Sequence, residues 1–201
     1  MVIHPTAASY LAEVGSAGRS TVASALVQRE AGRIALRRID VRDTSHGAFG
    51  HELAHVVLAD RFTREPLPRW VDEGIAILAD SADKQRRHAR DFAEALSNRA
   101  EFRLVELVAM EDYPPAGRWG AFYGQSASLV SFLVQQAGEQ QFLDFVAAAL
   151  ESGYQQGLRE TYDMSIAQLE RRWRTHAQRN STGEPQFATS RRVGESAVAL
   201  D

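Results

Sequence analysis

His51-Glu52-Leu53-Ala54-His55 is the stretch on which the interpretation of this chain depends. It has the pattern H-E-x-x-H, and the spacing of apolar residues around it predicts a helix over about residues 44–60. Histidines four residues apart lie on one face of a helix, where both imidazoles can bind the same zinc ion. The glutamate between them faces the same side and is the residue type that serves as a general base in such sites. A pattern this short also arises by chance in about one of a hundred chains of this composition.

The composition excludes several other classes of protein. The chain has 201 residues, which suit one domain with or without tails, and 44% of them are apolar, enough for a core. Its net charge of −3 gives no reason to expect a nucleic-acid partner. Because cysteine is absent, any metal must be bound by histidine and carboxylate, and disulfides and thiol nucleophiles are excluded. We find no apolar run that could span a membrane, and no signal-peptide pattern in residues 1–20.

The patterns divide the chain into three parts. Residues 1–31 are small and polar, which predicts a poorly ordered leader, and residues 179–201 are polar and aperiodic, which predicts a disordered tail. Residues 32–178 are expected to form one α+β domain that is mostly α. It begins with a strand over residues 33–41, followed by the H-E-x-x-H helix. Further helices are predicted over residues 69–79, after two prolines that break the chain, then over 84–98, 121–137 and 139–150, and from the capping box at 165–168 onward. Residues 102–110 are predicted to form a short apolar helix or turn.

A second motif supplies the third ligand that a catalytic zinc requires. The segment Trp70-Val71-Asp72-Glu73-Gly74-Ile75-Ala76 has the pattern W-x-x-E-G-x-A and resembles the third-ligand helix of the gluzincin metallopeptidases. Glu73 is the matching residue and lies 18 positions after His55. Gly74 and Ala76 are small, as expected where two helices cross closely around an ion.

The resemblance continues into the later helices. Ala121-Phe122-Tyr123-Gly124-Gln125-Ser126 and the apolar run up to Gly138 are similar to a downstream helix of the same clan. The family that the chain resembles most is the peptidase-MA-like domain, over about residues 46–176. The resemblance implies a zincin-like metalloprotease fold, with a small amino-terminal β segment and a carboxy-terminal helical bundle. It also favours an exported or cell-envelope protein that acts on peptides or proteins.

A mechanism follows from that resemblance. His51, His55 and Glu73 would hold Zn²⁺, which activates a water molecule. Glu52 would accept the proton of that water and pass it to the leaving amine. Tyr123 would donate to the oxyanion, an interaction worth about 3 kcal/mol in comparable sites. Equally, the Tyr123 hydroxyl could be satisfied within the core.

The chain departs from the family pattern in two places. Thermolysin-like enzymes place an aspartate four residues after the third ligand to orient a histidine, but this chain has Ile77 there. Asp72 and Asp80 are the weak candidates that remain for this role. The G-x-M-E-N segment with which aminopeptidases hold a substrate's amino terminus is also missing, so either it was lost or the activity is not that of an exopeptidase. We expect the strand at 33–41 to present the edge that pairs with the substrate.

Other histidines and aromatic residues have plainer interpretations. His46 is expected to be neither a ligand nor catalytic, and His88 lies in a basic run that indicates a solvated helix face. His176 is a less favoured substitute for Tyr123 as oxyanion donor. Two tryptophans are interpreted as packing residues rather than as substrate contacts, namely Trp70 and Trp119.

Three functions are compatible with these patterns. The first is a zinc-dependent peptidase. The second is a binding or scaffold module that retains zinc but cleaves little, which the incomplete histidine environment and the missing amine anchor favour. The third is a helical interaction domain in which the motif occurs by chance. We rank them in this order because the first two account for both metal motifs.

Overall fold

A small sheet and a larger helical assembly make up the computed structural model, which describes residues 1–19, 21–42 and 48–181. The strands are β1 (Val2–His4), β2 (Ala23–Glu30) and β3 (Arg33–Arg42). The helices are α1 (Ala7–Val14), α2 (Phe49–Arg61), α3 (Arg69–Leu78), α4 (Ala82–Ser97), α5 (Leu104–Val108), α6 (Trp119–Ala137), α7 (Glu139–Ser152), α8 (Tyr154–Tyr162) and α9 (Ile166–Ser181). Short 3-10 turns lie at Gly15–Arg19 and Ala116–Arg118. The predicted α+β class, mostly α, agrees with this architecture.

The strand that the sequence predicted as an edge is the central strand of the sheet. The strand order is β1-β3-β2, with β1 parallel and β2 antiparallel to β3. A two-residue loop joins β2 to β3, and both of its residues, Ala31 and Gly32, have positive φ angles, of 48° and 73°. Such a loop matches the twist of a tight hairpin. The prediction that β3 offers its edge to a substrate is therefore wrong, and β2 is the outer strand beside it.

Residues 1–31 do not form the poorly ordered leader that their composition predicted. They contribute β1, α1 and β2. The His4 Nε2 atom lies 2.8 Å from Asp40 Oδ1 on β3, and both side chains are buried. Tyr10 of α1 is fully buried, and its hydroxyl lies 2.8 Å from Thr21 Oγ1. The composition of this segment was misleading because pairing with the distant strand β3, rather than local apolar content, gives it order.

Helix α2 connects the two halves of the molecule. It begins at Phe49 instead of near residue 44, while the predicted cap residues and His46 lie outside the described residues. On one side it packs on the sheet, where Ala23, Ile39 and Val41 form a small apolar cluster with Ala48. On the other side α2 contacts α3.

The larger core surrounds α6. Phe122 and residues 124–133 are all buried, and α3, α4, α7 and α9 pack against this helix. A Cβ atom on Gly74 would lie 2.6 Å from Val130 Cγ2 and 2.8 Å from the Ser126 carbonyl oxygen. Gly74 thus permits α3 to cross α6 closely. It was predicted to lie where two helices cross, and those helices are α3 and α6. Trp70 is fully buried in this core, in agreement with its interpretation as a packing residue.

The carboxy-terminal region is described as far as Ser181. Helix α9 continues to this residue, beyond residue 178 where the sequence placed the end of the domain. The rest of the predicted tail, residues 182–201, lies outside the described residues. Within the described ranges, we find no helix with the length and apolar character needed to cross a membrane.

Candidate metal centre

Three side chains from two helices converge between the sheet and the larger core. α2 supplies His51 and His55, and α3 supplies Glu73. One possible ligand atom from each lies within 4.8 Å of the others. The two imidazole rings have centroids 4.9 Å apart, and the His51 Nε2 atom lies 3.5 Å from Glu73 Oε2. Two imidazoles and one carboxylate are the donor set of His₂Glu zinc sites, so these residues fit a catalytic metal.

Each histidine is oriented by an aspartate from the α3 region. Asp80 Oδ2 lies 2.9 Å from His51 Nδ1, and Asp72 Oδ1 lies 2.9 Å from His55 Nδ1. Because a carboxylate only accepts, Nδ1–H donates in both pairs, and Nε2 is the nitrogen left for a metal. The two weak candidates therefore lie where orienting partners belong. Asp80 reaches His51 from just beyond the end of α3, and Ile77 is a core residue.

The carboxylates determine the electrostatics of the ligands. Burial lowers the pKa of His51, but its hydrogen bonds with Asp80 and Glu73 outweigh burial and raise that pKa to about 10. Burial likewise opposes the charge of His55, and the hydrogen bond with Asp72 raises its pKa. Burial raises the pKa of Glu73, yet its contacts with the histidines and Tyr113 lower it overall. In the metal-free protein both histidines therefore favour the protonated form, and a metal would replace a proton on His51.

Glu52 lies beside the ligands without belonging to them. Burial raises the pKa of its carboxyl, while the charges of His51 and His55 and a hydrogen bond from the backbone of Ala25 oppose that rise. A raised carboxyl pKa brings the group closer to the range in which it can both accept and return a proton at neutral pH. The contact with Ala25 also places the outer strand β2 directly next to this carboxylate.

Tyr113 is a site residue that the sequence did not point to. Its hydroxyl donates to Glu73 Oε1. The Arg69 guanidinium carbon lies 4.8 Å from the centroid of the Tyr113 ring. Only the fold brings Tyr113 to a ligand 40 positions earlier in the chain. No local pattern could have identified it, because a tyrosine beside two prolines is a common loop residue.

Tyr123 of α6 lies in the same cleft. Its ring centroid is 6.3 Å from that of Tyr113 and 5.6 Å from that of His88. Burial and the nearby charge of Glu73 raise the pKa of Tyr123, so its hydroxyl remains protonated at neutral pH. No hydrogen bond to this hydroxyl is found within residues 1–19, 21–42 and 48–181. The phenol is therefore a proton donor that stays available, rather than one satisfied in the core.

Two of the remaining histidines differ from their predicted placement. His88 is not on a solvated face, because it lines the cleft beside Tyr123 and burial lowers its pKa. Its Nδ1 atom is buried and has no hydrogen-bond partner in the described part of the chain. His176 lies on α9, 5.1 Å from the Phe132 ring, and does not line the cleft, which excludes it as a substitute for Tyr123. His88 was missed because the helical turn it shares with three arginines looked uniformly polar.

The convergent residues lie in one open cleft of about 1260 Å³. The outer strand β2 forms one wall, and α2 contributes His51, Glu52 and His55 to the lining. The opposite side consists of the first turns of α3, part of α4 and the segment 108–113. Trp119 does not line this cleft; it is 41% exposed, and its indole donates to the Pro114 carbonyl at 2.8 Å. The cleft is bordered by an edge strand, β2, with which an extended chain could pair.

Comparison with known proteins gives one match. A family model described as the peptidase MA superfamily matches residues 34–179. The matched range contains all three candidate ligands and every helix from α2 to α8, and begins after β2. No curated protein and no solved structure matches the chain.

Proposed function

The chain belongs to the peptidase MA superfamily, and from this we propose that it is a zinc-dependent peptidase in which Glu52 is the general base. The observation that carries the proposal is the convergence of His51, His55 and Glu73 within 4.8 Å, with both histidines oriented by carboxylates. Glu52 stands beside this group in a cleft that is open to a substrate. A scaffold without turnover has less support. It was favoured by an incomplete histidine environment, but Asp72 and Asp80 are in place to orient both histidines.

Zinc is the metal that suits these residues. His51 and His55 would bind it through Nε2 and Glu73 through a carboxylate oxygen, and the chain offers no thiolate. When bound, zinc lowers the pKa of a water molecule and polarises the scissile carbonyl. Tyr113 holds the carboxylate of Glu73 by a hydrogen bond, which limits the orientations that this ligand can adopt.

Proton transfer is assigned to Glu52. Its carboxylate would accept a proton from the attacking water and deliver it to the nitrogen of the departing amine. Burial raises its pKa and so makes the return of the proton easier. The charges of His51 and His55 oppose that rise and favour the charged carboxylate, which is the form that a base requires.

The oxyanion is assigned to Tyr123. Its phenol faces the cleft, stays protonated and has no partner among the described residues, so it can donate to the charge that develops on the carbonyl oxygen. The substrate backbone would pair with the outer edge of β2. Ala23, Ala25 and Val27 line the cleft, and Val22 already accepts from Arg42 on β3, so alternate residues direct their backbone groups outward.

The test is a Glu52→Gln variant of the zinc-loaded protein, assayed against a broad peptide library. We expect zinc content to remain stoichiometric while peptide cleavage falls by roughly 10²- to 10⁴-fold, the range for loss of a general base. Glu94→Gln, the same change on the exposed surface of α4, is the matched control and should cleave normally. Cleavage that survives Glu52→Gln, or purified protein without bound zinc, would contradict the proposal. Stoichiometric zinc without any cleavage by the unaltered protein would favour the scaffold function.

A further inference from the structure

The charges that line the cleft are not balanced away from the metal centre. The carboxylates at the centre have partners on the protein, and the other carboxylate of the lining is Glu111. The chain as a whole has a net charge of −3, so any excess of positive charge here is local. Three arginines of the lining make no ion pair with any described residue, namely Arg29, Arg69 and Arg87.

Arg69 is the one of these that lies closest to the reacting groups. It is the first residue of α3 and lies four positions before Glu73, so both side chains project from one face of the helix. Its guanidinium is held over the ring of Tyr113, 4.8 Å from the centroid, and Tyr113 in turn binds Glu73. The charge of Arg69 also acts on the hydroxyls of Tyr113 and Tyr123. A fixed and half-buried cation thus lies next to the ligand and to the proposed oxyanion donor.

Arg29 also lines the cleft, toward the end of α2 from which the chain continues to Arg69. On β2, Val27 is paired with Arg37, and Arg37 forms an ion pair with Asp60 near the end of α2. Arg29 is two residues farther along β2, beyond that point. Its Nε atom is buried and has no hydrogen-bond partner among the described residues. A buried donor without an acceptor is unfavourable, and a ligand that supplies the acceptor removes that penalty.

We propose that this end of the cleft is a carboxylate subsite, in which Arg69, assisted by Arg29, selects peptides with a carboxylate close to the scissile bond. The guanidinium group is suited to this task because its parallel N–H donors match the two oxygens of a carboxylate. The carboxylate can be an Asp or Glu side chain or the free carboxy terminus of the peptide. The inference rests on the proposed function, since it concerns the substrate of the same site.

The experiment measures binding without turnover. Zinc-loaded Glu52→Gln protein is titrated with fluorescent peptides of one length, and anisotropy gives the dissociation constants. One peptide is neutral with a blocked carboxy terminus, a second has a free terminus, and a third set has a blocked terminus and a single Glu at each position in turn. We expect the second peptide or one member of the third set to bind about 10-fold tighter than the neutral peptide or better, as for a charge-assisted hydrogen-bonded pair. Which of the two binds tighter identifies the source of the carboxylate.

Variants then assign the preference to its residues. Arg69→Gln should reduce the ratio of acidic to neutral affinity by about 10-fold, and Arg69→Lys should restore part of it, because the charge returns without the paired donors. Arg29→Gln should reduce the ratio by a smaller factor. Arg90→Gln removes an exposed arginine of α4 that does not line the cleft and should leave the ratio unchanged. Circular dichroism verifies that each variant is folded.

The possible failures are distinguishable. Absence of any preference for a carboxylate, failure to bind any of the peptides, or equal effects of Arg69→Gln and Arg90→Gln would overturn the subsite. Cleavage of neutral and acidic peptides at equal rates by the unaltered protein would also overturn it, while leaving the peptidase function intact. If the unaltered protein binds acidic peptides through Arg69 but cleaves none, the subsite stands and the peptidase function fails.

Discussion

Replacing Asp80 by asparagine should weaken metal binding by about 10- to 100-fold, or about 1.4–2.7 kcal/mol. Asp80 Oδ2 lies 2.9 Å from His51 Nδ1, and its other oxygen lies 3.0 Å from Lys84 Nζ. The Asp80 side chain is only 2% exposed, so water cannot take its place. Asparagine preserves the size but removes the charge that makes Nε2 of His51 a stronger donor to a metal.

The pH of the measurement matters for this prediction. In the metal-free protein, Asp80 helps to raise the pKa of His51 to about 10, so a proton competes with the metal at neutral pH. Asp80→Asn lowers that pKa and thereby relieves part of the competition. The loss of affinity should therefore be larger at pH 9 than at pH 7, as measured by competition with a chelator of known affinity.

Asp83→Asn is the matched control. Asp83 lies three residues away, its side chain is 89% exposed, and it pairs with Arg86 on the surface of α4. The same change of charge there should alter metal affinity by less than about twofold, since exposed pairs contribute little. If Asp80→Asn binds zinc at pH 9 as tightly as the unaltered protein, or if Asp83→Asn loses as much, the orienting role of Asp80 is refuted.

Two further predictions concern stability. Gly74→Ala should destabilise the protein by roughly 1–2 kcal/mol, because overpacking against Val130 and the Ser126 carbonyl exceeds the gain in helix propensity. Urea denaturation measures this loss of stability. Gly117→Ala is the control and should show no such loss, because its Cβ would meet no atom within 4 Å. The metal-free protein should lose stability as the pH rises from about 6.5 to about 10. His51 has a folded pKa above its usual 6.5, so its contribution is complete below that value and disappears as the pH passes through 10; a flat urea midpoint over this range would contradict the assigned contact with Asp80.

The sequence was most informative where a function requires a local spacing. His51 and His55 are four residues apart on one helix, and a helix alone brings their rings together. Glu73 was found through the residues around it, since the small residue that follows it permits the close crossing with α6. Helix α8 was not predicted. The other helices after residue 69 lie within a few residues of their predicted bounds, because each has an apolar face that packs on α6 or on its neighbours.

The parts that could not be predicted depend on contacts between distant segments. β1 pairs with β3 nearly 40 residues later, and its three residues have no recognisable pattern of their own. β2 contains two alanines and a glutamate, which have low strand propensity, and it was not predicted. Tyr113 and His88 reach the cleft from a loop and from a polar helix, so neither could be assigned to the site before the fold was known.

Because the apolar interior is divided into two clusters, a metal at the centre would also link two parts of the fold. α2 belongs to the small cluster beneath the sheet, and α3 belongs to the large one around α6. An ion held by His51, His55 and Glu73 would cross-link two bodies that otherwise meet where α2 packs on α3. Removing the metal with a chelator would then allow the sheet and the helical body to unfold separately. Hydrogen exchange in the sheet would no longer depend on the stability of the helical body. A single melting temperature would describe the metal-loaded protein, whereas the metal-free protein would require two.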